Sequence, residues 1–347
     1  MKKTITILLL LIAALTITAC NSATTTPEVV NEAAIEAAVE AVAETVTETE
    51  PTPQAATEPV AEPETVTETT REIIDREGYT IPLPPSIDTI VTIGPSITEI
   101  IVDLGFASHI IATDSFSGDV AGLSDGAARD FGIMDFDAEY IVNLMPDMVF
   151  MAGVSRAAGG SELAAPIAAA GITVVYVPTS ESIAAIMEDI RFIAQVMDAE
   201  EAGNQLVSTM QAEIDAIANI AANITTPRTV YFEISPAPWM FSFGQGTFLH
   251  EMIALVGATN IFAAEEGWLP VSEEILLAIN PDIILTSTDF LPDPIAEIME
   301  RPGFDALSAV QNGNIHTIDT NASNRPSHNI TQALQEIAAA VFPEYFS

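Results

Sequence analysis

Nucleophilic or metal chemistry has few residues to work with in this sequence. The histidines are His109, His250, His316 and His328, with no paired spacing such as His-x-x-x-His, and Cys20 is the lone cysteine. A zinc or manganese site needs ligands that converge. That option rests on His250 and His328 reaching one cleft, because His109 and His316 stand at strand starts. With no second cysteine there is neither a disulfide nor a thiolate metal cluster. Gly94-Pro95-Ser96-Ile97-Thr98 follows a strand-like run and opens a helix, as a nucleophile elbow does, but Thr98 stands where that motif needs glycine. Ser96 is better explained as the helix N-cap, with Glu99 three residues later. No histidine lies in a segment suited to a triad partner, so a serine hydrolase is the weaker alternative.

Carboxylates with a repeated setting are more informative. Glu139 to Phe150 reads EYIVNLMPDMVF, and Glu274 to Leu285 reads EILLAINPDIIL. In each, a glutamate opens an apolar-periodic helical turn, a Pro-Asp pair follows at the same distance, and a short buried strand begins. A second pair lies upstream of these. Gly94 to Glu99 runs on to Gly105, and Gly246 to Glu251 runs on to Gly257 with the same internal spacing. Two occurrences in the same order imply two similar lobes rather than an array of short repeats. Paired lobes leave a cleft, the usual place for a small ligand.

The elements around these residues alternate. Strand-like runs at Asp88–Ile93, Ile110–Thr113, Met148–Met151 and Ile172–Val177 are separated by helical patterns. The Asp114–Asp137 loop is long enough to be functional. An extended helix over Asp198 to about Ile224, stopped by Pro227, shows an apolar stripe of Leu206, Met210, Ile214, Ile217 and Ile220. Strands at Thr229–Ile234, Ile283–Thr286 and Asn314–Ile318 and a closing helix at Ile330–Val341 follow. The expected fold is α/β: two similar lobes with mainly parallel sheets, joined by one long helix, with the cleft between them. Such a stiff joint permits only modest opening and closing. The expected divisions are 1–19 leader, 20–70 tether, 71–197 first lobe, 198–227 interlobe helix and 228–347 second lobe.

Composition sets the address and narrows the partners. Lys2 and Lys3 precede an apolar run, Ile5 to Ile17, too short for a comfortable membrane span. Ile17-Thr18-Ala19-Cys20 resembles a bacterial lipobox, which makes Cys20 the lipidated first residue of an extracytoplasmic, membrane-anchored protein. Residues 21–70 are mostly Ala, Thr, Glu, Pro and Val and read as a disordered acidic tether. The formal charge is −39, and both lysines fall in the leader. Nothing resembles the basic stripe that nucleic acid requires.

With these residues in view, the chain resembles the solute-binding lipoproteins of ABC importers for iron complexes and cobalamin, the bilobed group with one rigid interlobe helix. The likeness runs from about residue 72 to 347. It is carried by IVTIGPSITEIIVDLG, DAEYIVNLMPDMVFMAG, GTFLHEMIALVGATNIF, GWLPVSEEILLAINPDIIL and NRPSHNITQALQEIA. It implies a non-enzymatic, monomeric binding protein that hands its ligand to an ABC permease and its ATPase. It further implies that Glu139 and Glu274, one on each lobe, dock permease arginines. A carboxylate in a first helical turn is favoured by the helix dipole, and simple helix capping is the competing role.

The same likeness puts Trp268, Trp239 and Phe241 in the cleft, with Phe116 facing them from the first lobe. Phe243 and Phe248 suit a core role as well. Aromatic walls fit a large flat or caged ligand. Arg325 falls where relatives carry an arginine that touches an anionic ligand group, although Ser327-His328-Asn329 departs from the usual Gly-Pro-Arg. Arg156 and His328 are the other expected cleft groups. No cofactor is implied. The expected ligand is a metal chelate, with ferric siderophores first, cobalamin next and haem also open.

Overall fold

The two strand-centred repeats fold into two α/β lobes with parallel sheets. The computed structural model describes residues 71–155 and 161–346, without the side chains of 128–130, 161 and 162. Cys20, Arg156 and the expected leader and tether therefore lie outside the described residues.

A small antiparallel pair, β1 (Glu72–Ile74) and β2 (Thr80–Pro82), precedes the first sheet. The first lobe then runs β3 (Ile90–Ile93), α1 (Pro95–Ile101), β4 (Ile110–Asp114), β5 (Ala128–Phe131), α2 (Ala138–Leu144) and β6 (Met148–Ala152). It continues through α3 (Gly153–Ser155), α4 (Ser161–Ala169) and β7 (Thr173–Val177). Its strands pair in parallel in the order β5-β4-β3-β6-β7. Two helices follow, α5 (Ile183–Val196) and α6 (Glu200–Ala221).

The second lobe runs β8 (Thr229–Glu233), β9 (Phe241–Phe243), α7 (Phe248–Leu255), β10 (Thr259–Asn260), β11 (Trp268–Pro270), α8 (Glu273–Ile279) and β12 (Ile283–Thr286). It ends with α9 (Pro294–Glu300), α10 (Ser308–Gln311), β13 (Ile315–Thr317), α11 (Thr320–Asn324) and α12 (Ile330–Val341). Its parallel sheet has the order β10-β8-β12-β13. This repeats β4-β3-β6-β7 strand for strand. The antiparallel pair β9–β11 has no counterpart among the described residues of the first lobe.

Strands with both faces covered need apolar residues at successive positions, and β3, β6 and β12 have them. Ile90, Met148 and Phe150 enter one core, while Val91, Ile93, Val149 and Met151 enter another on the opposite face. The first of these cores also holds Val230, Phe232, Ile283 and Leu285 of the second sheet and the buried sides of α1, α5, α6, α7 and α12. A core continuous across both lobes opposes large reorientation between them.

The structure corrects several details of the sequence reading. Ser96 is not the N-cap: Gly94 holds that place and Pro95 takes the first helical position. Gly94 has φ 140°, and a Cβ there would stand 2.8 Å from the Ala152 Cβ, so glycine is required. Glu99 is buried instead of folding back as a capping-box partner. Along α6 the buried seam is Gly203, Val207, Met210, Ile214, Ile217 and Ala221, and Ile220 is exposed. The expected stripe drifted because a run of larger apolar side chains hid the small residues that pack against α5. There a Cβ on Gly203 would fall 2.3 Å from that of Ala194. The long loop after β4 contains β5, which extends the sheet edge.

Candidate functional site

The two repeated helices place their glutamates alike. Asp137 caps α2 through its side chain and Ser272 caps α8, so Glu139 and Glu274 are each the second residue of the helix, and both are exposed. Each helix ends on a left-handed residue, Met145 and Asn280, before a buried proline. The aspartate that follows locks onto the first strand of its lobe. Asp147 Oδ2 accepts from the Thr89 amide at 2.8 Å and its hydroxyl at 2.9 Å, and Asp282 Oδ2 accepts from the Thr229 amide at 2.8 Å and hydroxyl at 2.7 Å. Burial raises the Asp147 pKa, but the Thr89 hydroxyl and the Thr89 and Asp88 amides outweigh it and hold the carboxyl below its ordinary value. The lock fixes how each helix leaves its sheet, and so where its glutamate stands.

Ligands of parallel α/β sheets bind outside the carboxyl ends of the strands, and four large exposed aromatics, Phe116, Trp239, Trp268 and Phe290, lie on the segments that follow those strands. Phe116 follows β4 and is 57% exposed; Trp239 follows β8 and is 63% exposed. Trp268, half exposed, starts β11 and pairs with Phe243 of β9, their rings 6.0 Å apart and edge-on. Phe241 is half-buried opposite Pro270, while Phe243 and Phe248 are core residues. Phe290, after β12, is 69% exposed and was not among the expected cleft aromatics. Its signal was available: an aromatic in a polar loop directly after a buried strand.

A cavity of about 230 Å³ lies at the ends of β3, β6 and β7. Gly94–Ile97, Ala152–Val154 and Val177–Thr179 line it from the first lobe, and Asn324–Pro326 from the second. Ser96 reaches it, and no hydrogen bond from Ser96 to a histidine occurs among the described residues.

Arg325 and His328 are largely buried, Arg325 at the wall of this cavity. Arg325 Nη1 donates to Glu99 Oε1 at 2.8 Å, and Nη2 donates to Asp119 Oδ1 at 2.7 Å and to the Phe116 carbonyl at 2.8 Å. His328 Nε2 stands 2.5 Å from Asp103 Oδ2. Burial raises the Asp119 pKa, but hydrogen bonds from Arg325 and Asn321 and the guanidinium charge outweigh it and keep the carboxyl below its ordinary value. On the other side Glu251 Oε2 accepts from the Ile183 amide at 2.8 Å, at the start of α5. Glu99 and Glu251 are the matching glutamates of the upstream repeat, and each reaches into the opposite lobe.

A second buried pair stiffens the aromatic side. Arg301 grips Glu233 with both terminal nitrogens, at 2.6 and 2.8 Å, and contacts the sulfur of Met240, between Trp239 and Phe241. Burial pushes the Glu233 carboxyl up despite Arg301. Among the described residues no group of three or more His, Cys, Asp and Glu comes together as metal ligands would. No helix among them is long and apolar enough to cross a membrane.

With two lobes, a rigid joint and a cleft at the strand ends in place, the comparison with known proteins is decisive. Residues 90–322 match the family described as periplasmic binding protein. The chain belongs to the periplasmic binding protein family. These are extracytoplasmic proteins. The chain is 28% identical over 262 residues to the uncharacterized ABC transporter substrate-binding lipoprotein YvrC of Bacillus subtilis, covering 74% of this chain and 81% of that one. It is 25% identical over 254 residues to the vitamin B12-binding protein of Vibrio cholerae, covering 72% and 87%. Among solved structures it is similar to the periplasmic heme-binding protein RhuT of Roseiflexus sp. RS-1, with a TM-score of 0.65, 26% identity, and 74% and 99% of the two chains covered.

Proposed function

We propose that this periplasmic binding protein is the substrate-binding component of an ABC importer, lipid-anchored at Cys20, and that its ligand is a metal chelate of the corrinoid class. The observation that carries the ligand class is the pairing of exposed aromatics with an absence of unpaired cleft cations among the described residues. Phe116, Trp239, Trp268 and Phe290 offer rings at the strand ends, while Arg325 and Arg301 are both buried in ion pairs. Rings supply broad contact at little entropic cost. A ligand rich in carboxylates or catecholates needs cations to offset its desolvation. A corrinoid such as cobalamin, with its amide rim, needs mainly rings and hydrogen bonds.

Ferric siderophores, expected first from the sequence, give way to the corrinoid on the burial of Arg325. The vitamin B12-binding relative of Vibrio cholerae supports the same order. Arg156 remains a cleft candidate by its place in the sequence, and Phe241 and His328 are proposed to support the wall rather than to contact ligand. Glu139 and Glu274 are proposed to dock the permease, the protein acting as a monomer and performing no catalysis. Their equivalent places, exposed at the second position of two matching helices, support that role.

The test is intrinsic fluorescence of the full-length chain, whose only tryptophans are Trp239 and Trp268. Cyanocobalamin should quench it saturably and more tightly than haem, ferric hydroxamates or ferric catecholates. Saturable quenching by an anionic chelate alone would overturn the ligand class. Silence toward every chelate would overturn the chelate reading.

A further inference from the structure

The contacts between the first lobe and the stretch Asn321–Asn329 are concentrated on Glu99 and Asp119. Glu99 Oε1 takes Arg325, while its Oε2 accepts from Ser327 Oγ at 2.5 Å and Asn329 Nδ2 at 3.1 Å. Asp119 Oδ1 takes the same guanidinium and Oδ2 accepts from Asn321 Nδ2 at 2.6 Å. Two carboxylates thus face one guanidinium, a set with a net negative charge.

Phe116 is pinned on both sides of its peptide unit. Its amide donates to Asp114 Oδ1 at 2.9 Å and its carbonyl accepts from Arg325. Asp114 is itself held, accepting from the Gly94 amide at 2.9 Å and Ser117 Oγ at 2.7 Å. The ring nevertheless remains more than half exposed. A backbone fixed at both ends under an exposed ring is a preorganised contact, which saves ordering cost when a ligand arrives. Arg325 is also the one arginine lining the 230 Å³ cavity among the described residues.

We propose that Glu99, Asp119 and Arg325 form an interlobe staple that seats the Phe116 loop and neutralises Arg325 at the cavity wall, so that the cleft disfavours chelates with free carboxylates. Arg325 is then a positioning residue, and Glu99 and Asp119 set the charge specificity. This rests on the reading of the cleft as a chelate site.

The experiment uses the full-length chain with two readouts. The first is the ratio of haem to cyanocobalamin affinity, from tryptophan quenching. The second needs no ligand: hydrogen–deuterium exchange at residues 115–119. Glu99→Gln and Asp119→Asn should each move the affinity ratio toward haem by about tenfold, because a guanidinium freed from one carboxylate can meet an anion. Arg325→Met should weaken cyanocobalamin binding by about tenfold and speed exchange at 115–119 in the ligand-free protein. Arg325→Lys should not rescue either effect, since one ammonium cannot reproduce the guanidinium fork. If Glu99→Gln does not fold, Asp119→Asn carries the specificity arm, because Asp119 is mostly exposed.

Selective loss of haem binding in Arg325→Met, with exchange at 115–119 unchanged, would overturn the staple and make Arg325 a ligand cation. Should the parent chain bind neither chelate, the proposed ligand class fails, and exchange alone decides the staple. Faster exchange in Arg325→Met and Asp119→Asn upholds it; unchanged exchange overturns it.

Discussion

The two lobes share their frame and differ in what they hang on it. Strand order, the left-handed helix end, the buried proline and the aspartate-to-threonine lock recur in both. The differences cluster at the strand ends. The second lobe inserts the β9–β11 pair, which carries Phe241 and Trp268. The first lobe instead widens its sheet with β5 and sends out the loop bearing Phe116 and Asp119. Repetition marks the parts that hold the fold and set the outer glutamates; departure from repetition marks the parts proposed to meet the ligand. A duplicated frame needs the same locks twice, whereas an asymmetric ligand needs unlike walls.

The largest expected stability difference between the lobes lies in their buried arginines. Arg301→Met leaves Glu233 in the second lobe with only the Tyr231 hydroxyl, where both side chains of the ion pair are almost wholly buried, and should cost about 3–5 kcal/mol in a denaturant titration. Arg76→Met in the first lobe should cost less. Arg76 is one-fifth exposed, so water can reach the site when the guanidinium is removed; Asp189, its partner, keeps a hydrogen bond from Ser180 as Glu233 keeps one from Tyr231. Equal losses would show that the two pairs are not as different as their burial implies.

Next are the shared locks. Asp147→Ala and Asp282→Ala each remove a carboxylate that accepts from a threonine amide and hydroxyl, and each should cost roughly 1.5–3 kcal/mol. Asp147→Ala should lose somewhat more, since Asp147 is less exposed and also accepts from the Asp88 amide, and the reverse order would break the equivalence of the two frames.

Acid should act through the first lobe. Asp119 and Asp147 have folded pKa values below their unfolded ones. Their contribution is complete above the unfolded value, about 4, and disappears as pH falls through the folded values. Glu233 and Asp189 are raised by burial and have the opposite sign, so acid relieves them. Asp119→Asn should therefore flatten the acid limb of a stability–pH curve, by a modest amount because the site is partly exposed.

The smallest effect on binding is expected at the outer glutamates. Glu139→Arg and Glu274→Arg should leave chelate affinity within about twofold while impairing import in cells, since rim charges govern encounter and orientation. A matching loss of affinity would move them into the cleft.

Much of the frame was legible because apolar runs bounded by Pro-Asp and Gly-Pro pairs have one economical reading. The strand at Ile283–Thr286 and the helix at Ile330–Val341 fall where the pattern put them. The two-residue strand β10 and the β9–β11 pair were not legible. Their residues alternate too briefly for a period, and their pairing is fixed by tertiary contacts such as Asn260 Nδ2 to the Phe243 carbonyl at 2.9 Å. Ser96 misled because its type suits a cap, while Pro95 had already taken the first helical position. The partners of Arg325 could not be read from sequence either. Glu99 lies 226 residues away, and nothing local to an arginine reports whether a distant carboxylate will reach it.

The most direct test of frame against wall is cyanocobalamin affinity by equilibrium dialysis, measured side by side in Trp268→Ala and in the Glu139→Arg/Glu274→Arg double variant. Removing one aromatic anchor from a ligand wall should weaken binding by about tenfold to a hundredfold, the range of a central hot-spot ring. The double variant should match the parent chain. Equal affinities in all three proteins, or a greater loss in the double variant than in Trp268→Ala, would contradict the division of the molecule into a repeated frame and an unrepeated ligand wall.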